Sequence, residues 1–145
     1  MDSHNLSRFE QAQRGTYERA LLEIANGQKT GHCIWFIFPQ LVGLGHSDMS
    51  LKYGLAGMGE ARAYLAHPLN GPRLEACANA LLAVDGRTIT QIMGTPDDKK
   101  LRSCATLFAA ATPPGSVFEQ LLAKYHQSQP DHRTLKTLRD QGEAV

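Results

Sequence analysis

The sequence predicts an all-α protein, a compact single-domain multihelical bundle of about seven or eight mostly short helices. The 145 residues include 18 Leu and 17 Ala but only 4 Val and 5 Ile, and strands draw on β-branched residues whereas Leu and Ala favour helices. Apolar residues recur with the helical period, and caps or stops separate the periodic segments. The length fits one domain over residues 1–145, with a disordered N-terminus at residues 1–5 and a frayed C-terminus at residues 142–145.

Composition and charge exclude several classes of protein. The chain is 42% hydrophobic and 20% charged, which is too apolar for a disordered protein. A net charge of +1 offers no electrostatic surface for nucleic acid, and the longest apolar run, residues 33–38, is too short to cross a bilayer. The N-terminus lacks a signal-peptide pattern, and the three cysteines form no C-x-x-C pair. We therefore expect a cytoplasmic protein with no cofactor and with neither nucleic acid nor membrane as a partner.

The first segment, residues 6–25, predicts one amphipathic helix. Its apolar side chains fall on one helical face, and Asn26-Gly27 follows as a stop signal. Gln13 lies inside the apolar stripe, so its amide must find a hydrogen-bond partner or face a cavity. We regard Gln13 as a candidate ligand contact; the alternative is a side chain tied to a neighbouring backbone carbonyl.

The apolar residues 33–38 fit both a short strand and a buried helix, because every position is apolar and periodicity cannot separate the two. Residues 43–45, Gly-Leu-Gly, then predict a flexible bend. Ser47 or Asp48 is the expected N-cap of a short helix that reaches Tyr53.

Caps and apolar spacing predict further helices along the rest of the chain. These are a helix over residues 60–66, one that buries Leu74, Cys77, Ala78 and Leu81, one or two turns over residues 88–93, and helices that begin at Thr95-Pro96, Ser116 and Asp131. At Thr95-Pro96 we expect a hydroxyl cap with proline in the first helical position.

Residues 32–47 form the strongest candidate for a binding site. The segment combines aromatic rings that can stack on a planar ligand, amide and imidazole groups, and glycines whose backbone can approach a phosphate near a helix N-terminus. The alternative is a core helix whose aromatics fill space, followed by a turn that needs glycine. The candidate ligand-binding residues of this segment are His32, Trp35, Phe38, Gln40, Gly43, Gly45 and Ser47.

Three residues outside that segment complete the candidate site: Gln13, Tyr53 and Asp98. Tyr53 fits the core and a pocket equally well. The pair Asp97-Asp98 resembles an acid/base pair, but a helix N-terminus favours the ionised carboxylate and thus a capping role. The following pair, Lys99-Lys100, is expected on a solvated face, with a phosphate contact as the alternative.

No pattern predicts a metal site or an activated nucleophile. The six histidines show no i, i+4 pair, and the chain has no Gly-x-Ser-x-Gly motif. Catalytic residues therefore stay undefined from the sequence.

Three stretches together resemble a known bacterial family. They are Arg8-Phe9 with Ala12-Gln13 and Tyr17, then Gly31-His32 with residues 35–40 and 43–45, and finally Pro96-Asp97-Asp98 with Lys100-Leu101 and Thr106-Leu107-Phe108. From about Leu6 to its last helix, the chain is similar to the family called domain of unknown function 1810. Members are often labelled calpastatin, but that inhibitor is disordered and repetitive, whereas this chain has apolar residues enough for its own core.

The resemblance implies an all-helical fold, and hence a helix over residues 33–38, but no established activity. Two positions depart from the family pattern. Cys33 stands where an aromatic residue is expected, and Ser103-Cys104-Ala105 stands where a Ser-Ser-Met run is expected. A pocket lined by these positions would differ in shape here.

Two classes of function fit these observations. The first is a pocket near Trp35 for a small-molecule or nucleotide-like ligand, extended to N-glycosidase-type hydrolysis by an architectural analogy with helical enzymes that cleave ADP-ribose derivatives. Such chemistry needs a carboxylate facing the pocket, and Glu10 and Glu60 are the nominees from their helix positions. The alternative is a non-catalytic helical interaction or regulatory module, which predicts an exposed apolar patch. The polar residues Gln13 and His32 near the aromatic segment favour the pocket.

Overall fold

Ten α-helices occur in the residues that the structure, a computed structural model, describes, namely 5–30, 34–45 and 47–145. They are α1 Ser7–Gln13, α2 Tyr17–Ala25, α3 Ile34–Ile37, α4 Asp48–Tyr53, α5 Met58–Ala66, α6 Asn70–Leu82, α7 Ile89–Met93, α8 Asp97–Ala110, α9 Val117–His126 and α10 His132–Asp140. The all-helical prediction is confirmed, but the predicted count of seven or eight helices is too low. The predictions for His32, Cys33 and the first four residues lie outside the described part of the chain.

The helix predicted over residues 6–25 is in fact two helices, α1 and α2. The break falls at Gly15, whose φ of +78° lies in the left-handed region that favours glycine. The Thr16 carbonyl then accepts the first hydrogen bond of α2, from the Ala20 amide, at 2.9 Å. Because apolar residues continue at helical spacing on both sides, periodicity alone did not reveal this break.

Side-chain caps begin several helices where the sequence predicts them. Ser47, Ser116 and Asp131 each accept a hydrogen bond from the backbone amide three residues later, at the starts of α4, α9 and α10. Thr88 begins α7 in the same way, and Gln91 completes a reciprocal capping box. Local chemistry therefore sets these four boundaries.

The start of α8 differs from the prediction by one residue. Pro96 precedes the helix as its N-cap residue and makes no side-chain cap. The Thr95 hydroxyl donates instead to Asp98 Oδ2 at 3.3 Å, and the Thr90 hydroxyl of α7 donates to the same oxygen at 2.7 Å. Asp98 thus joins the end of α7 to the first turn of α8.

Helix α8 packs against α3, α5, α7, α9 and α10. A chain of aromatic rings crosses the core beside it. The ring of Phe9 meets Tyr64 at 4.9 Å between centroids, Tyr64 meets Phe108 at 5.7 Å, and Phe108 meets Phe118 at 5.4 Å. These rings come from α1, α5, α8 and α9 and pack the four helices together.

The loop after α3 is held by main-chain hydrogen bonds. The Leu55 amide donates to the Gln40 carbonyl and the Val42 amide donates to the Leu55 carbonyl, both at 2.9 Å. Gly43 turns the chain with a φ of +95°. The loop therefore brings Gln40 and Gly45 to the same edge of the molecule. None of the described helices is both long enough and apolar enough for a membrane span.

Candidate functional site

A cleft of about 370 Å³ lies between α3 and its following loop on one side and α8 and the start of α10 on the other. Its volume falls within the range of small-molecule sites. The lining residues are Trp35, Gln40, Leu44, Gly45, Pro96, Lys99, Lys100, Arg102, Ser103, Asp131 and Arg133.

Positive charge dominates the lining of this cleft. Lys99, Lys100 and Arg102 come from α8, and Arg133 comes from α10. Among the described lining residues, Asp131 is the single carboxylate. Four cations against one anion make the cleft electropositive although the whole chain carries a net charge of only +1.

Trp35 is half-buried, packs against the core and presents its indole to the cleft. The Nζ atom of Lys100 lies 3.8 Å from the indole centroid, which is a close cation–π contact. The same ammonium group is 3.6 Å from Asp97 Oδ1. Lys100 is therefore held over the ring and not extended into solvent.

Neutral carbonyl groups hold both arginines of the cleft. The guanidinium of Arg102 donates to the Gln129 carbonyl at 2.8 Å and to the Pro130 carbonyl at 3.1 Å. Arg133 donates to the Leu44 carbonyl at 3.1 Å. A carbonyl orients a guanidinium without cancelling its charge, so both arginines keep their positive charge for the cleft.

Asp131 has a structural task at the edge of the cleft. Its Oδ2 atom accepts hydrogen bonds from the backbone amide and the hydroxyl of Thr134, in the first turn of α10. Its own amide donates to the Thr106 hydroxyl of α8 at 2.8 Å. Asp131 therefore both caps α10 and joins it to α8.

Ser103 and Cys104 occupy the first two positions of the run in which the sequence departs from the family pattern. Ser103 lines the cleft, and its hydroxyl donates to the Lys99 carbonyl at 3.3 Å. Cys104 points into the core, where burial raises the pKa of its thiol well above the ordinary value. Because Ser103 is the serine that the pattern expects, the departures fall at Cys104 and Ala105, which are both buried in the core and do not line the cleft.

The cleft brings together three of the residues that the sequence proposes, Trp35, Gln40 and Gly45. Gln40 is a mostly buried polar residue, 8% exposed. It belongs to the loop, while Trp35 belongs to α3, so the proposed segment does supply one wall of the site.

Other candidates from the same part of the chain lie elsewhere. Phe38 is 2% exposed and belongs to the core. Tyr53 is also buried, with its ring 5.8 Å from Phe9 and 5.6 Å from Phe36 between centroids. Gly43 is an exposed turn residue, and Ser47 is the cap of α4.

Gln13 lies away from the Trp35 cleft, in the interior between helices. Its Nε2 atom donates to the Phe36 carbonyl at 2.6 Å. A hydrogen bond to a backbone carbonyl is the alternative to a ligand contact that the sequence indicates for Gln13. Its Oε1 atom accepts from Arg73 Nη1 at 3.1 Å. Gln13 and Arg73 also line a separate, smaller cleft of about 240 Å³ together with Tyr17.

The carboxylates nominated from the sequence do not line the Trp35 cleft. Glu10 pairs with His67 at 2.8 Å, and Glu60 pairs with Arg8 at 2.8 Å. Asp98 binds two threonine hydroxyls, as described above. The carboxylate that does reach the cleft is Asp131, which sequence reasoning treated only as a helix cap.

Sequence reasoning missed Arg102 and Arg133 altogether. Lys99 and Lys100 both line the cleft; Lys99 is exposed, as the solvated-face prediction has it, whereas Lys100 is half-buried against Trp35. The two arginines come from helices far apart in the sequence, so no local motif marks them.

The described residues contain no group of three or more His, Cys, Asp or Glu side chains that could hold a metal ion. The side chains of Cys77 and Cys104 are buried in the core.

These observations define an all-helical protein with a basic cleft beside its one tryptophan. The chain belongs to the family described as "Protein of unknown function (DUF1810)", which matches residues 3–138 and confirms the resemblance seen in the sequence. It is similar to the conserved hypothetical protein Rv1873 from Mycobacterium tuberculosis, with 46% identity and a TM-score of 0.93. That similarity covers 95% of this chain and 99% of the other. A comparison with curated proteins found no significant match.

Proposed function

We propose that the cleft beside Trp35 binds a small anionic ligand that carries phosphate groups, of the nucleotide-like class. Four cations, Lys99, Lys100, Arg102 and Arg133, surround one cleft, and its described lining holds a single carboxylate; this observation carries the proposal. A site of this charge attracts anions, and guanidinium groups match phosphate oxygens with paired hydrogen bonds.

The arrangement also supports binding by its preorganisation. Trp35 holds Lys100, and backbone carbonyls hold both arginines, so less side-chain freedom is lost when a ligand binds. Gln40 and Ser103 add polar groups of the kind that fix a ligand's orientation.

The alternative function, an interaction module, predicts an exposed apolar patch. In the described residues, the large apolar side chains that are exposed are Leu22 on α2 and Met49 and Leu51 on α4. None of them lines the basic cleft. The charged cleft is the more distinctive feature, and it supports the ligand-binding proposal.

Hydrolysis would require a carboxylate beside the scissile bond of a bound ligand. Asp131 is the carboxylate in the cleft, and its Oδ2 atom already holds the first turn of α10. We therefore propose binding and assign no chemical step.

Trp35 provides a direct test, since it is the single tryptophan of the chain and lines the cleft. ADP, ATP and inorganic diphosphate would be titrated while Trp35 fluorescence and the melting temperature are recorded. We expect a saturable fluorescence change and a stabilisation that approaches about 2.7 kcal/mol when the ligand is at about 100 times its Kd. Both effects should weaken at high salt.

A matched pair of variants locates the binding. Lys99→Gln removes a cation from the cleft, whereas Lys136→Gln removes an exposed cation from α10 that pairs with Asp140. The first should weaken binding, and the second should leave it unchanged. A flat Trp35 signal with no stabilisation at millimolar ligand would overturn the proposal.

A further inference from the structure

The contact between Lys100 and Trp35 bears on which part of a ligand the cleft recognises. The ammonium group of Lys100 lies over one face of the indole, 3.8 Å from its centroid, and Trp35 also packs against the core. A planar ring could stack on that face only after displacing Lys100. Because tryptophan is the best aromatic partner for a cation, this displacement would lose a favourable contact.

Lys100 also keeps much of its charge available for a ligand. Asp97 is its ion-pair partner, but Asp97 lies much closer to Lys29, whose Nζ is 2.6 Å from Oδ2, than to Lys100, which is 3.6 Å from Oδ1. The longer contact with Asp97 orients Lys100 without forming a short ion pair, so Lys100 keeps its positive charge beside the cleft.

Arg102 and Arg133 are likewise held in place by groups that do not neutralise their positive charge. Among the described residues, Arg102 donates to the carbonyls of Gln129 and Pro130, and Arg133 donates to the carbonyl of Leu44. Three fixed cations from two helices then surround a space large enough for more than one phosphate group.

We infer that the cleft recognises a diphosphate or triphosphate group itself, whether inorganic or esterified, and does not recognise a ring attached to it. In this arrangement Lys100 contacts the ligand together with Arg102 and Arg133, and Trp35 is a positioning residue that holds Lys100. The inference rests on the proposed function and specifies which part of the ligand that site binds.

The first test compares ligands of similar charge on the intact protein by calorimetry. Inorganic diphosphate and ADP should bind with affinities within about threefold of each other, which is less than about 1 kcal/mol. Adenosine, which has the ring without the phosphates, should not bind at millimolar concentration.

The second test is a double-mutant cycle. Lys100→Gln should weaken both phosphate ligands by about tenfold or more, as expected for a lost charge-assisted contact. Trp35→Leu should weaken both ligands equally, by about threefold to tenfold, because Lys100 is no longer held. In the double variant, the loss should be no larger than in Lys100→Gln alone. Lys136→Gln serves as the charge-matched control.

The outcomes separate this inference from the proposed function. Binding of adenosine, or a Trp35→Leu variant that weakens ADP but spares diphosphate, would show ring stacking and overturn the inference while the proposed function stands. Failure of every phosphate ligand to bind would overturn both. Thermal melting checks that the Trp35→Leu variant folds. If it does not fold, the comparison of ADP with diphosphate is made with Trp35→Phe, which keeps an aromatic side chain at this position.

Discussion

The side-chain amide of Gln13 donates a hydrogen bond to the main-chain carbonyl of Phe36, with 2.6 Å between Nε2 and the oxygen. The bond joins the last residue of α1 to α3, and Arg73 of α6 donates to the other end of the same amide. A polar residue inside an apolar stripe thus ties three helices together. It also helps to hold the helix that carries Trp35.

Replacing Gln13 with leucine should destabilise the protein. The variant removes the main donor to the Phe36 carbonyl and leaves Arg73 without this acceptor, so the free energy of unfolding should fall by about 1–3 kcal/mol. Urea unfolding measures the change. Gln11→Leu, at an exposed position of the same helix, is the control and should stay within about 0.5 kcal/mol of the parent. Equal stability of the two variants would argue against the structural role of Gln13.

Alanine substitutions of Phe38 and Trp35 should differ in their effects: the first should mainly lower stability, and the second should mainly weaken phosphate binding. Phe38 is 2% exposed, so Phe38→Ala should cost about 3–5 kcal/mol of stability. Trp35 is only half-buried, so Trp35→Ala should cost less stability but weaken phosphate binding through the loss of the Lys100 contact. Chemical unfolding and calorimetry test the two effects separately. A larger loss of stability for Trp35→Ala than for Phe38→Ala would contradict this assignment.

Asp131→Asn should tighten the binding of anions. Asparagine is as good an N-cap as aspartate, so α10 should keep its first turn, while the single carboxylate of the described cleft loses its charge. Affinity for diphosphate should rise severalfold, since a like charge about 4 Å away costs about 1 kcal/mol even in water.

The comparison variant Asp131→Ala removes the cap as well and should lower stability by about 1 kcal/mol. Calorimetry and thermal melting on both variants make the comparison. Weaker diphosphate binding by Asp131→Asn would instead show that the carboxylate itself contacts the ligand.

His126 should make the protein less stable as the pH falls below neutral. Burial lowers the pKa of its imidazole below the ordinary value of 6.5, Arg102 lowers it further, and Asp98 partly opposes both effects. Its Nε2 atom is buried with no hydrogen-bond partner in the described residues. Above the ordinary pKa both the folded and the unfolded chain hold a neutral imidazole, and below it the unfolded chain takes up the proton first. Stability should therefore fall from about pH 6.5 down to the lowered pKa of the folded state.

Urea unfolding of the parent and of His126→Gln, at about pH 7.5 and about pH 5.5, isolates this contribution. The variant should lose less stability over that interval than the parent does. His132→Gln, at an exposed position of α10, is the control and should follow the parent. Identical pH dependence of the parent and His126→Gln would refute the assignment.

The helical class and many helix boundaries could be predicted from the sequence, because helix period and capping are local. A serine or aspartate with the right neighbours caps a helix within a few residues, and Ser47, Ser116 and Asp131 do so where predicted. The break between α1 and α2 at Gly15, in contrast, could not be predicted from the local spacing of apolar residues. There, one glycine divides a segment whose apolar spacing continues through the break.

The cleft and the residues that line it are defined only by the tertiary structure. The sequence indicates Trp35 for stacking and Gln40 for hydrogen bonding within one segment, and both line the cleft. Gln13, indicated as a polar residue inside an apolar stripe, instead binds the Phe36 carbonyl and Arg73. The cations that define the cleft come from α8 and α10, whose approach depends on the shared core. Side chains distant in sequence become neighbours only when helices pack, and that packing is set by many contacts at once, which no local spacing of residues can encode.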